Sequence, residues 1–273
     1  MKFTRILTLI TLLFVTTINM FSQDEEIDDL TFEVTPLQEE KPPYFSVAGG
    51  YMGTIVFLNF DELNKTAKGL ALEELSSPIY MSGVQGFSAI GIIPNLRLGF
   101  QGMGGWRLVE SDVKIPKNPI AVPPLNDSIT VKRSFEYAVS YNGISIDYGI
   151  ILFKSLAIVP GITVGWGDVT LESFQTKNDI DWNNYGNENN FETDYFKRAK
   201  AVFSYVQPNL NIEYALTPFF MFRFNAGYFY SFALTGDWDW KYNRSASMKN
   251  TPSDINASGL SVQFGLFLGL FNY

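Results

Sequence analysis

Strict period-two alternation, kept up over long stretches, constrains this chain more than any other feature. In residues 258–272, Leu260, Val262, Phe264, Leu266, Leu268 and Leu270 share one parity. Ser261, Gln263, Gly265 and Gly269 share the other, together with Phe267 and Phe271. Residues 218–236 repeat the pattern. Phe220, Phe222, Phe224, Tyr228, Tyr230, Phe232 and Leu234 alternate with Arg223, Asn225, Gly227, Ser231 and Ala233. Successive side chains of a strand point to opposite faces, so each stretch predicts a β-strand with one apolar face. Eight such segments occur, at about 43–60, 80–93, 95–110, 131–152, 155–175, 199–215, 218–236 and 258–272. Aromatic residues make up 16% of the chain while mean hydropathy is only +0.03, a combination that alternation reconciles.

Alternation alone fits two folds. A soluble sandwich puts its polar parity in water, and a membrane barrel puts it in the lumen. The connections separate them. Short links fall at Pro94 and Asn95, at Phe153 to Ser155 and at Ala215 to Pro218. Long polar links fall at 61–79, 111–130, 176–198 and 237–257, and the two kinds alternate strictly. The predicted fold is all-β: an eight-stranded antiparallel up-and-down transmembrane β-barrel, with short periplasmic turns and long extracellular loops. Within 131–152 the alternation changes phase. Phe135, Tyr137, Val139 and Tyr141 share one parity, and Ile144, Ile146, Tyr148 and Ile150 share the other. A β-bulge near Asn142 and Gly143 would keep both sets on the lipid face, and one is expected there.

Lys2 and Arg5 precede an apolar run from Ile6 to Ile18, and the acidic stretch beginning Asp24 follows. Residues 1–23 therefore read as a signal peptide cleaved near Ser22 and Gln23. Residues 24–42 read as an acidic periplasmic extension, and 43–273 as the barrel. With no Cys there is no disulfide, thiolate ligand or lipidated N-terminal Cys. With no His there is no Ser-His-Asp chemistry and hardly any zinc chemistry. The net charge of −8 and the lack of a basic stripe exclude nucleic acid as a partner.

The leader, the alternating strands, the connection rhythm and the final segment from Gln263 to Tyr273 resemble small bacterial outer-membrane β-barrel proteins of the OmpA-type transmembrane class. The resemblance covers most of the chain beyond the leader, as pattern and not as residue identity. It implies the outer membrane of a Gram-negative-type envelope, with outer-membrane lipid as solvent. It also implies a C-terminal strand read by the barrel-assembly machinery. Gln263, Gly265, Leu268 and Leu270 are similar in order to that C-terminal signal, with aliphatic residues where aromatics are usual.

An eight-stranded barrel is about filled by its own side chains, and charges in such a lumen must pair. The candidates are Arg97 and Arg223 against Asp147 and Glu213, with Arg107 and Glu136 as a second pair nearer the outside. The long connections offer Trp182 and Tyr185 in one, and Asp237, Trp238, Asp239 and Trp240 in another. Such residues stack on sugars, hold a partner or a hard cation, or pack over the barrel mouth. No spacing matches a specific metal motif, and no cofactor is expected. The expected job is non-enzymatic: structural, or ligand binding through the extracellular loops. The alternatives are transport of a small or apolar solute, for which Phe219, Phe229, Phe267 and Phe271 leave an apolar lining, and a lipid-modifying envelope enzyme, which the lack of His disfavours.

Overall fold

A computed structural model describes residues 45–116, 128–177, 194–234, 238–243, 245–252 and 255–272. The expected leader (1–23) and extension (24–42) lie outside the described residues, as do Trp182, Tyr185 and Asp237.

The strands are β1 (Phe45–Leu58), β2 (Ile79–Ala89), β3 (Leu96–Pro116), β4 (Ser128–Tyr148) and its short continuation β5 (Ile150–Phe153). Next come β6 (Leu156–Thr176), β7 (Tyr195–Thr217), β8 (Phe220–Phe232), the two-residue β9 (Lys241–Tyr242) and β10 (Ala246–Ser247), and β11 (Gly259–Asn272). Eight of them close a ring: β1, β2, β3, β4, β6, β7, β8 and β11, with β11 returning to β1. All pairings are antiparallel. The chain is thus an eight-stranded up-and-down barrel. Closure leaves no unpaired edge, the condition for crossing a membrane with strands.

Parity runs true around the wall. On β11, Leu260, Phe264, Leu266, Leu268 and Leu270 are exposed, while Ser261, Gln263 and Phe267 are buried inside. Leu98 and Phe100 of β3, Ile144 and Ile146 of β4, Ile162 and Val164 of β6, and Leu210 and Ile212 of β7 extend the exposed apolar face. Trp106 and Trp166 stand exposed at one border of this belt, and Phe153 and Phe219 at the other. Water would not tolerate so continuous an apolar surface, whereas lipid requires it.

The bulge expected at Asn142 and Gly143 is not there. β4 pairs without a register shift along both β3 and β6, through Asn142↔Gly102 and Asn142↔Trp166. The phase change is real, but its meaning is reversed. Phe135, Tyr137, Val139 and Tyr141 are buried inside the barrel. The outer face over the same stretch carries Ser134, Glu136, Ala138, Ser140 and Asn142. Strand β4 runs out of the apolar belt at Asn142. Beyond that level the apolar set turns inward and the polar set meets the outside.

Two of the connections are tied at one end of the barrel by backbone bonds across the turns. The Gly149 amide donates to the Asn95 carbonyl (2.8 Å), and the Phe271 amide to the Pro218 carbonyl (2.9 Å). Asn95 (φ 64°) and Ser155 (φ 77°) turn the chain there. Both ends of the barrel sequence, Phe45 and Asn272, pair at this same end. The opposite end carries a helix that alternation did not announce, α1 (Asp61–Gly69). Its signals were present: the Asn59 side chain accepts from the Asp61 amide (2.7 Å), Asp61 and Glu62 open the first turn, and Lys68 lies in the last. Leu63 and Ala67, at i and i+4, are its buried face.

Candidate functional site: the lumen and its mouth

The lumen has two layers. In the layer nearer the tight turns, the Glu213 carboxylate accepts two bonds from the Arg97 guanidinium, each 2.8 Å. The Arg223 guanidinium meets the same carboxylate at 2.6 Å, and its Nη1 donates to the Gln85 side chain at 2.7 Å. Asp147 stands 3.6 Å from Arg97. All four charged side chains are essentially without solvent exposure, and they sum to zero charge. Phe87 lies between the cations, with the Arg97 and Arg223 guanidinium carbons 4.3 Å and 4.2 Å from its ring centre. Arg223 also sits 4.5 Å from the Phe267 ring. The rings accept the cation faces while the carboxylate takes the edges. Gln85 and Phe87 were missed in the sequence, although they share parity on β2 just as Arg97 and Gln101 do on β3.

Amide side chains continue the layer upward. Gln101 donates to Gln207 (3.0 Å), Gln207 to Ser261 (3.1 Å), and Asn225 to Asn211 (2.7 Å). Above them the lumen turns aromatic. The Tyr141 ring stacks on Phe229 at 4.1 Å and meets Tyr205 and Phe203 edge-on at 5.4 Å and 5.5 Å. Inward glycines make space for these rings. A Cβ on Gly143 would lie 2.5 Å from the Tyr205 hydroxyl, and one on Gly167 would lie 2.5 Å from the Phe203 ring. Phe229, Phe267 and Phe271 do line the interior, but Phe219 is exposed at a tight turn.

Among the described residues, two segments cover the loop end. Phe60, at the start of α1, packs on Tyr137 at 5.1 Å, and Arg133 donates to the Leu70 carbonyl at 2.5 Å. From the other side, Trp238 stacks on Phe203 at 5.4 Å and Trp240 is 2% exposed. The Tyr141 hydroxyl donates to the Ala257 carbonyl at 2.6 Å, tying this segment to the lumen. Of the loop candidates, then, Trp238 and Trp240 sit over the mouth, and Asp239 is exposed and pairs with Lys241 at 2.8 Å. Among the described residues no three carboxylates gather as a cation site.

Arg107 and Glu136 are not a pair. Arg107 lies opposite Tyr137 on the inner parity and donates to the Ser76 hydroxyl. Glu136 lies opposite Leu108 on the outer parity, next to Glu172. Their separation follows from the missing bulge: without it Glu136 keeps the outward phase of Ile144. Its carboxyl lies above the usual range, first because it is partly buried and second because Glu172 repels its charge. A raised pKa in the folded state means that this group's contribution to stability is lost as pH rises through that pKa. Glu136→Gln is therefore expected to flatten that loss. The gain above the titration should be at most about 1 kcal/mol, as for a like-charged cross-strand pair. Denaturant midpoints of both proteins across pH 4 to 8, a range on the order of that spanning carboxylate titration, check this. Identical pH profiles would refute it.

This fold and belt define a class, the integral outer-membrane β-barrel. No protein-family model and no curated protein sequence matches the chain. Among solved structures it is similar to a major outer membrane protein of Thermus thermophilus, with 10% identity over 82% of this chain and 99% of that one and a TM-score of 0.38. It is also similar to Ail, the attachment invasion locus protein of Yersinia pestis, in complex with the heparin analogue sucrose octasulfate. There the identity is 8% over 84% and 99% of the two chains, and the TM-score 0.32. At such values the likenesses leave the reading of this chain to its own residues.

Proposed function

We propose that this protein is a closed, non-catalytic outer-membrane barrel that works through the surface of its loop end, as a structural or ligand-binding element. The observation that carries this reading is the filled lumen: a charge-neutral Arg97, Arg223, Glu213 and Asp147 layer below, and the Tyr141, Phe203, Tyr205 and Phe229 cluster above. A solute passing through would have to displace both. In this reading the tight turns face the periplasm and the mouth under α1 and Trp240 faces outward, as the usual distribution of turns and loops in such barrels suggests. The C-terminal strand β11 offers Gln263, Gly265, Leu268 and Leu270 to the assembly machinery, and the belt takes outer-membrane lipid as its partner. The lack of His and Cys supports binding or scaffolding over catalysis. The purified barrel, reconstituted into planar bilayers, is expected to produce no steady single-channel steps. Regular conductance steps from protein whose gel mobility shifts on boiling, the mark of a folded barrel, would refute the reading.

A further inference from the structure

Where the outer reaches of β4, β6 and β7 meet α1 and the segment after Trp240, a crevice of about 240 Å³ opens. Its walls are apolar, formed by Leu63 of α1, Phe135, Leu171, Ile255 and the Trp240 ring. Two donors in those walls have no partner among the described residues. The Trp240 indole nitrogen and the Ser173 hydroxyl are each buried from solvent with no hydrogen-bond partner among the described residues. An indole N–H can only donate, and buried polar groups are paired in almost every folded protein. A bare N–H on a side chain that is 2% exposed therefore points to an acceptor supplied from outside the chain. Charge specifies the acceptor further. Lys197 and Arg198 line the same crevice, and among the described residues no carboxylate does, although the chain as a whole carries −8. Arg198 is engaged by Glu172 at 3.3 Å. The Lys197 ammonium is held 5.0 Å over the Tyr195 ring and has no carboxylate partner among the described residues.

We propose that this crevice binds a small amphipathic carboxylate. The apolar body lies among Leu63, Phe135, Leu171 and Ile255, and the carboxylate accepts from the Trp240 N–H and the Ser173 O–H and faces the Lys197 ammonium. The volume is below that of most ligand clefts, which limits the body to a short acyl chain or a single ring. The inference rests on the reading of the loop end as the working face and gives that face a ligand class.

The test uses the full barrel in nanodiscs of zwitterionic lipid, with octanoate as the probe and titration calorimetry as the readout. A Trp240→Phe/Ser173→Ala double variant sets the background from partitioning into lipid. Octanoate is expected to bind saturably at one per barrel above that background. Trp240→Phe, which keeps an aromatic ring but loses the donor together with the second fused ring, and Lys197→Gln are each expected to weaken binding about tenfold, the usual size of a lost charge-assisted contact. Octylammonium should not compete. Binding no greater than in the double variant, unchanged affinity in Trp240→Phe and Lys197→Gln, or equal binding of octylammonium would each overturn the proposal. The boiling-dependent gel shift confirms that every variant is folded. A non-conducting barrel that ignores octanoate sinks this inference alone, whereas a conducting one sinks the reading beneath it.

Discussion

Glu213→Gln should destabilise the barrel by about 3–5 kcal/mol, the usual cost of breaking a buried ion pair by removing one partner. Among the described residues, Glu213 is the only carboxylate within bonding distance of both guanidiniums, at 2.8 Å from Arg97 and 2.6 Å from Arg223. Gln keeps the shape and removes the charge. Two buried cations then share Asp147, which approaches Arg97 only to 3.6 Å. Bulk solvent cannot take over, since neither arginine has appreciable exposure. The Phe87 and Phe267 faces remain, but cation–π contacts are smaller than a charge-assisted bidentate pair. The Arg97→Gln/Glu213→Gln double variant restores neutrality and should recover a clear part of the loss, although it deletes more hydrogen bonds. The measurement is the urea midpoint of unfolding in detergent, read by the gel shift on boiling. A single variant within about 1 kcal/mol of the parent, or a double variant less stable than both singles combined, would show that the layer is hydrated and its charges independent.

Tyr141→Ala is expected to be about as damaging, at about 3–5 kcal/mol, the range for truncating a large buried aromatic side chain. Tyr141 is fully buried and is the centre of the upper layer, touching Phe229, Phe203 and Tyr205 at once. The cavity left behind cannot collapse easily, because its walls are strands of a closed ring. Tyr141→Phe keeps the ring and removes the bond to the Ala257 carbonyl, so it should cost about 1 kcal/mol. Its effect should be local, since that bond ties the covering segment to the lumen. Faster amide exchange at Ala257 and Ser258 in Tyr141→Phe, with a nearly unchanged urea midpoint, is the expected signature. An equal loss in both variants would mean that the hydroxyl, and not the ring packing, holds this layer.

Both expectations depend on where the ring of strands brings distant residues. Parity alone placed Arg97, Asp147, Glu213 and Arg223 on inward faces, because each alternates with apolar neighbours that must meet lipid. It also gave the eight strands and an antiparallel barrel, since long alternating segments joined by an alternating rhythm of short and long links have few other ways to close. Parity says nothing about height. That Arg97 and Glu213, on strands not adjacent in the ring, reach one level and share two bonds is a result of strand tilt and register.

The Phe135 to Tyr141 stretch marks the boundary between the two kinds of information. Its alternation was legible, and so was the change of phase at Asn142. Which side was which was not, because an apolar parity is equally content with lipid or with a protein interior. Only the closed barrel decided it. Strand β4 rises past the apolar belt there, its own outer face becomes polar, and the rings of Phe135, Tyr137 and Tyr141 fill the space inside. The same shift put Glu136 outside and parted it from Arg107. Local alternation thus determined the strands and their two faces, since side-chain direction in a strand is a property of the backbone. The tertiary structure decided which face met which solvent at each height, because that depends on the width of the lumen and the position of the belt, and both belong to the ring as a whole.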